Sequence, residues 1–301
     1  MYKESKKIFQ FYCSLNSKNF AGCNTSFDDA KYVILGVPYD KTSTYRPGSR
    51  FAPSHIREAS LNIETYSFKT NLDLEEIKIC DLGDLNIVDS LEETLKRLKI
   101  VVTEIVNADK IPIVIGGEHT ITTGVFKSLK ENSALMIFDA HLDFREEYMG
   151  SNFSHATFVR HLMNALGPEK IILAGTRAVS KVEVEYAKKI GLFYITTNEI
   201  QQNEANVIIN KIKSKISDLK KVYISLDMDV LDPAYAPAVG NPEGFGINIK
   251  DLMEIIYGLR DIPLSGFDLV EVVPHYDQGV TAIQAAKIIF EIISLTESVA
   301  K

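Results

Sequence analysis

A chain of 301 residues, 46% of them hydrophobic and carrying a formal net charge of −7, has enough apolar content for one large core or two small ones. No apolar run approaches the ~18 residues that a membrane helix needs, and the mildly acidic balance argues against a nucleic-acid partner. Cys13, Cys23 and Cys80 are widely spaced and odd in number, so they make neither a CxxC pair nor a disulfide framework and fit a reducing compartment. The N-terminal MYKESKKIFQFYCSLNSKNF has no continuous apolar stretch and no small-residue cleavage site, so it does not read as a secretory leader, and the expected location is cytoplasmic.

Along the chain, short β-branched runs alternate with longer amphipathic ones. Strands are predicted at Tyr32–Val37 and Ile77–Leu82. A helix follows, opened by the capping box Ser90-Leu-Glu-Glu93 and carrying Leu91, Leu95, Leu98, Val102 and Ile105 on one stripe. Further strands are predicted at Ile111–Ile115, Ala134–Phe138, Lys170–Ala174 and Leu192–Ile195. The lysines between Lys211 and Lys221 alternate with Ile and Leu at helical spacing, as on a solvated helix face. Strands at Val222–Leu226 and Ser265–Val270 complete the set of eight, and Thr281-Ala-Ile-Gln284 reads as a capping box opening the C-terminal helix. No repeat, low-complexity tract or Pro/Gly/Ser linker divides the chain, so residues 1–301 are expected to form a single domain. Runs such as IPIVI and ALMIF are continuously apolar, as strands covered on both faces should be. The alternation implies an α/β fold with a parallel sheet between helices, either open or closed into a barrel, and in both cases a site at the carboxyl ends of the strands.

Charged residues fall at those ends. Gly116-Gly-Glu-His119 follows IPIVI, Asp139-Ala-His141-Leu-Asp143 follows ALMIF, Asp227-Met-Asp229 ends VYISL, and Glu271 ends SGFDLV. Any one of these acids alone reads as a turn former or helix cap. Four buried-type strands that each end in charge would cost several kcal/mol per unpaired group, a cost that metal ions remove. Carboxylates outnumber imidazoles and no thiolate lies nearby, which suits a hard ion such as manganese better than structural zinc. Six ligand residues are too many for one ion with an open position and suit two ions sharing a water. Asp227 to Asp232 lacks the central glycine and terminal glutamate of an EF-hand calcium loop.

With GVPYD (Gly36–Asp40), RPGSRFAPSHIR (Arg46–Arg57), GGEH, DAHLDFR, SLDMDVLDP and EVVPHYD (Glu271–Asp277) in this order, the chain resembles the ureohydrolases, the family of arginase and agmatinase, on its agmatinase side. The resemblance implies a three-layer α/β/α sandwich with an eight-stranded parallel sheet, and two Mn2+ ions per chain. His119, Asp139, Asp143 and Asp227 would hold one ion; His141 and Asp229 would complete the second, with Asp143 and Asp227 shared. It further implies that Glu271 holds the guanidinium of the substrate by paired N–H···O contacts and that His155, in Ser154-His-Ala-Thr157, carries a proton to the leaving amine. A small cationic guanidino substrate is expected, agmatine before arginine, 4-guanidinobutyrate or aminopropylagmatine, and a trimer or hexamer of identical chains. Ala156 and Phe158 depart from the family's usual Gly and Pro, which leaves His161 as a competitor for the role of His155. NPEGFG (Asn241–Gly246) departs from NPEPGG and implies a reshaped pocket rim. Arg46-Pro-Gly48 reads either as an entrance loop or as a tight turn. Glu146 or Glu147 could attract an ammonium, and Arg145 a carboxylate. The rival readings are a one-ion zinc deacetylase of the same fold, a DxD glycosyltransferase, and a catalytically dead binding subunit.

Overall fold

The computed structural model describes residues 2–129, 133–216 and 218–300. Its strands are Cys13–Ser14 (β1), Tyr32–Val37 (β2), Tyr66–Ser67 (β3), Leu72–Asp73 (β4), Ile79–Leu85 (β5), Ile111–Gly116 (β6), Ser133–Phe138 (β7), Ile171–Thr176 (β8), Phe193–Thr196 (β9), Lys221–Asp227 (β10) and Leu264–Val270 (β11). Nine of them form one sheet in the order β1-β5-β2-β6-β11-β10-β7-β8-β9, while β3 and β4 make a separate ribbon. All eight predicted strands are in the large sheet and run parallel; the ninth, β1, pairs antiparallel with β5 at the edge. Two residues are too few to carry a period, which is why β1 was not predicted. The sheet has two ends, so it is open and not a barrel.

Alternate side chains of the central strands enter cores on opposite faces. Ile34, Ile113, Met136, Ile224 and Phe267 pack beneath the helices Ala52–Ser60, Ala205–Ile216, Ile249–Gly258 and Val280–Ala300. Val33, Val114, Leu135, Leu173 and Tyr223 pack beneath Leu91–Asn107, Phe158–Leu166 and Lys181–Ile190. Covered on both sides, strands such as β2 and β7 are buried at every position, which explains their unbroken apolar sequence.

Helix starts follow local hydrogen-bond chemistry. Of the capping box expected at Ser90, only half forms: Ser90 accepts the Glu93 N–H at 3.3 Å, while the Glu93 carboxylate accepts from Arg97 Nε at 3.2 Å. The predicted capping box at Thr281 is not formed. The helix begins at Val280, and Asp277 Oδ2 accepts both the N–H (2.8 Å) and the hydroxyl (2.6 Å) of Thr281. The acid upstream is the stronger acceptor and takes the proton Thr281 has to give, while Thr281 Oγ1 accepts from Ala238 N at 3.0 Å. A complete capping box occurs instead at Ser180 and Glu183. The lysine-bearing helix Ala205–Ile216 buries Ile208, Ile209, Ile212 and Ile216, leaving Lys213 to pair with Asp261 at the surface.

Arg57, from the RPGSRFAPSHIR segment, is fully buried and fastens the helix Ala52–Ser60 to β5. Its Nε and Nη2 bond both oxygens of Asp81 at 2.8 and 2.9 Å, Nη1 bonds Asp84 at 2.6 Å, and Nη2 also bonds the Gly83 carbonyl at 2.9 Å. Asp81 additionally accepts Phe20 N–H at 2.9 Å, which ties in the N-terminal segment. Removing one partner of such a pair leaves an uncompensated buried charge. Arg57→Ala is therefore expected to lose about 3–5 kcal/mol of stability, read as a fall in the urea midpoint. A shift below about 1 kcal/mol would mean that water reaches the freed carboxylates.

Candidate metal centre and active-site cavity

The site owes its existence to strand order. The strands preceding His119, Glu271, Asp227 and Asp139 are β6, β11, β10 and β7, which are consecutive neighbours in the middle of the sheet. Their register brings the exits level: Ile115 lies beside Leu269, Val270 beside Asp227, and Leu226 beside Phe138. Four segments distant in sequence thus release their charged residues within a few ångströms of one another.

Each aspartate of the cluster's core is held by one oxygen and aimed with the other. Asp139 Oδ1 accepts His141 N–H (2.6 Å), Asp227 Oδ1 accepts Asp229 N–H (2.8 Å), and Asp229 Oδ1 accepts Ala140 N–H (3.1 Å). The second oxygens turn inward: Asp139 Oδ2 and Asp227 Oδ2 lie 3.0 and 3.2 Å from His119 Nδ1, and Asp229 Oδ2 lies 3.0 Å from His141 Nδ1. Asp143 Oδ2 stands 3.6 Å from His119 Nδ1. Two groups result, His119 with Asp139 and Asp143, and Asp139 with His141 and Asp229, the ligand atoms within each lying within 4.8 Å of one another. Asp139 belongs to both groups in this geometry, whereas the resemblance assigns sharing to Asp143 and Asp227.

These groups fit divalent cations. His119 Nδ1 and Asp139 Oδ2 are buried, close together, and not aligned with any hydrogen-bond partner, a state that costs free energy unless a cation takes up both lone pairs. Burial pushes Asp143 and Asp227 well above the usual carboxylate range, reinforced by the neighbouring Asp139 and Asp229. Burial alone would push His119 and His141 down, yet the adjacent carboxylates hold both well above the ordinary histidine value.

Backbone strain gathers at the same place. Asp143 (φ 48°) and Glu271 (φ 64°) occupy the left-handed region, which costs a non-glycine residue about 1–3 kcal/mol and persists only where the surroundings over-determine it. At Glu271 the turn swings the carboxylate back over the strand ends, where Oε1 accepts His119 N–H at 2.8 Å. Burial, followed by the charge of Glu118, pushes Glu271 up to about 8. Its other oxygen faces Gly240, where a Cβ would lie 2.7 Å from Oε2.

A cavity of about 520 Å³ opens over the cluster, lined by His141, Asp143, Asp227, Asp229 and Glu271. His155 also lines it, whereas His161 is exposed, bonds the Asn152 carbonyl and faces a separate depression. Burial, with the nearby His141 and His119, pushes His155 down to about 4, so its ring is neutral. On the rim stand Arg145, Glu183, Asn241 and Glu243. Arg145 lies 3.7 Å from Glu183, Glu146 is exposed and pairs with Arg160 at 3.3 Å, and neither Glu146 nor Glu147 lines this cavity. The Arg46 segment is a turn beside the site: Arg46 Nη1 bonds the Pro237 carbonyl (3.3 Å), and Gly48, at φ 126°, bonds Asp40.

Several residues escaped the sequence reading. Asp268, inside the apolar strand β11, accepts the hydroxyls of Ser225 (2.7 Å) and Tyr223 (2.6 Å), and Ser225 Oγ meets His119 Nε2 at 2.9 Å. This chain orients the imidazole so that Nδ1 faces the cluster. An acid flanked by Phe267 and Leu269 in a buried strand was the available signal. Arg177 on the cavity wall donates to the carbonyls of Asp229 (2.7 Å), Val230 (3.0 Å), Glu243 (2.8 Å) and Gly244 (3.0 Å), lacing the NPEGFG rim to the Asp229 loop. Thr42 contacts both Glu118 and His155.

The sequence profile of the arginase family matches residues 30–294. An agmatinase of Bacillus cereus is 36% identical over 285 residues, covering 92% of this chain and 96% of that one. An N(1)-aminopropylagmatine ureohydrolase of Thermococcus kodakarensis is 34% identical over 272 residues, covering 87% of this chain and 90% of that one. The crystal structure of an agmatine ureohydrolase of Thermoplasma volcanium superposes with a TM-score of 0.89 at 38% identity, covering 94% of this chain and 96% of that chain.

The Asp268 chain carries a prediction. Asp268→Asn replaces an acceptor by an amide that cannot take both hydroxyl protons, loosening His119. Divalent-cation affinity is expected to fall about 10–100-fold, measured by titration calorimetry, with an unchanged circular dichroism spectrum. Wild-type affinity in the variant would mean that His119 is held by packing against Phe158 alone.

Proposed function

The chain belongs to the arginase family, whose members are hydrolases of guanidino C–N bonds, and from that premise we propose that it hydrolyses agmatine to putrescine and urea with a pair of Mn2+ ions. The reading treats residues 1–301 as one ureohydrolase domain, at work in the cytoplasm as a trimer or hexamer of identical chains. The observation that carries it is the convergence of two imidazoles and four aspartates in one cluster beneath the cavity, with Asp139, Asp227 and Asp229 each turning a free oxygen inward beside an imidazole. Four carboxylates, two imidazoles and no thiolate make a donor set for a hard ion such as Mn2+.

What the two ions supply, when bound, is a water acidified enough to act as nucleophile at neutral pH. The remaining work falls to the chain. Glu271 accepts N–H bonds from the guanidinium and places its carbon over the cluster; a cationic partner also favours the ionised form of a carboxylate that burial otherwise holds protonated. The attacking water contributes a C–O bond while the C–N bond to the alkyl amine breaks; its oxygen becomes the urea carbonyl, so both water protons must reach the departing nitrogen, which leaves as an alkylammonium, and one of them needs a carrier. His155, neutral and on the cavity wall, is the group assigned to carry it.

Charge favours agmatine. Two dications cancel the four aspartates, leaving Glu183, Glu243 and Glu271 against Arg145 and Arg177 on the lining. Glu183 is already engaged by Ser180, Phe144 N–H and Arg145, so the exposed Glu243 is the rim carboxylate available to a terminal ammonium. Arg145 and Arg177 favour a carboxylate tail and make a guanidino acid the second reading. Steady-state turnover of Mn2+-loaded protein on agmatine, aminopropylagmatine, arginine and 4-guanidinobutyrate decides among them. Agmatine is expected to give the highest kcat/KM, and a preference for 4-guanidinobutyrate would transfer tail recognition to the arginines. Independently of the tail, Gly240→Ala places a methyl group against Glu271 Oε2 and displaces the guanidinium holder. Its kcat/KM is expected to fall by up to about 100-fold with bound metal unchanged; full activity would remove Glu271 from the substrate contact.

A further inference from the structure

We propose that Thr42 and Glu118 are positioning residues that lock the neutral His155 ring in one tautomer, with the proton on Nδ1 and a free lone pair on Nε2. The inference rests on the reading of His155 as proton carrier and adds the means by which its ring is kept ready to accept.

The geometry is an accounting of protons. Glu118 is fully buried, and three donors point at its carboxylate: Thr42 N–H to Oε2 at 2.7 Å, and the hydroxyls of Thr42 and Thr120 to Oε1 at 2.7 and 2.5 Å. Burial pushes Glu118 up to about 7, and the hydrogen bonds from Thr120 and Thr42 oppose that shift; three donors converging on two oxygens favour the ionised, acceptor-only carboxylate. A threonine hydroxyl has one proton and two lone pairs, and Thr42 has given its proton to Glu118. Towards His155 it can therefore only accept. It does so twice, from the His155 backbone N–H at 3.0 Å and from ring Nδ1 at 3.2 Å. Nδ1 must then be the nitrogen that carries hydrogen, and Nε2 across the ring the one with the lone pair. If the hydroxyl rotated to donate to Nδ1, Glu118 would lose a donor in a place water does not reach, and a lone pair of Thr42 would face its carboxylate.

The function of such a lock is specific. An Nε2–H tautomer has no lone pair on the nitrogen free of Thr42 and cannot take a proton there. Two backbone bonds hold the lock in register: Gly117 N–H to the Val37 carbonyl at 3.0 Å and Glu118 N–H to the Tyr39 carbonyl at 2.8 Å bring the Thr42 segment against the Gly116–His119 loop.

The test combines kinetics with a direct view of the ring. In 15N-histidine spectra of protein loaded with diamagnetic Zn2+, His155, assigned by its loss in His155→Asn, is expected as the Nδ1–H form; an Nε2–H form overturns the proposal. Glu118→Gln, whose amide can donate to Thr42 and turn its hydroxyl towards the ring, is expected to convert His155 to the Nε2–H form. An unchanged tautomer in that variant removes Glu118 from the lock. In Mn2+-loaded protein, Thr42→Val is expected to lower kcat about 10–100-fold with KM and metal content unchanged, and Thr42→Ser, which keeps the hydroxyl, to recover most of the loss. On a His155→Asn background Thr42→Val should add nothing. An equal loss on both backgrounds assigns Thr42 a general structural role and sinks the proposal. Full kcat in His155→Asn alone defeats the proton-carrier reading instead, and the spectra still decide the tautomer separately.

Discussion

Mutual repulsion among buried carboxylates governs this molecule. Asp139, Asp143, Asp227, Asp229 and Glu271 are all almost fully buried around two imidazoles, and at such separations in a poorly solvated interior they cannot all be ionised without counter-charge. Much of the surrounding architecture serves to keep them together regardless. Backbone N–H groups pin one oxygen of Asp139, Asp227 and Asp229, which fixes the direction of the other. The left-handed turns at Asp143 and Glu271 are held against their intrinsic cost by sheet pairing on one side and loop packing on the other. Burial and the neighbouring acids push Asp143 and Asp227 towards their protonated forms, and a divalent cation would answer the same repulsion with full positive charge. Protons and divalent cations would thus compete for the same lone pairs.

The sheet makes the assembly possible by a topological accident that has a physical reading. Segments ending at residues 116, 138, 227 and 270 are spread over more than half the chain, yet their strands lie side by side at the sheet's centre. Parallel strands all finish on one edge, so whatever follows them shares one rim. Helices on both faces bury the strands and push water away, and the rim is the place where backbone groups of the sheet are left for loops to satisfy.

That logic explains which parts were legible in the sequence. Short β-branched runs, several of them continuously apolar, announced the eight parallel strands, and acids and histidines just past four of them announced the rim. The strand predicted at Tyr32–Val37 is found at those bounds, while others moved by one to three residues, as at β5, predicted at 77–82 and found at Ile79–Leu85, because apolar pattern does not distinguish the last paired residue from the first unpaired one. What stayed hidden depended on contacts between segments far apart. The two-residue β1 has no period to read. Asp277 and Thr281 are both plausible helix starters, and only the position of Ala238 N–H decides which is the acceptor. Arg57 reads as a surface arginine until Asp81 and Asp84 are seen beside it. Asp268 alone had a local signal, an acid inside a buried strand, and it sits one hydroxyl away from His119.

Glu118 and His119 show how tightly the constraint is distributed. They are consecutive, yet His119 turns towards the cluster while Glu118 turns away from it to Thr42 and Thr120. One four-residue loop therefore supplies a candidate ligand on one side and the support of the His155 ring on the other. The divergence requires the neighbouring chain to approach the loop very closely. A Cβ on Gly117 would stand 1.8 Å from the Tyr39 carbonyl oxygen, a distance no side chain can occupy. Glycine at that position is what lets the segment after β2 lie against the loop and bring Thr42 within reach, so the absence of one side chain couples the placement of the candidate ligand His119 to that of the His155 ring.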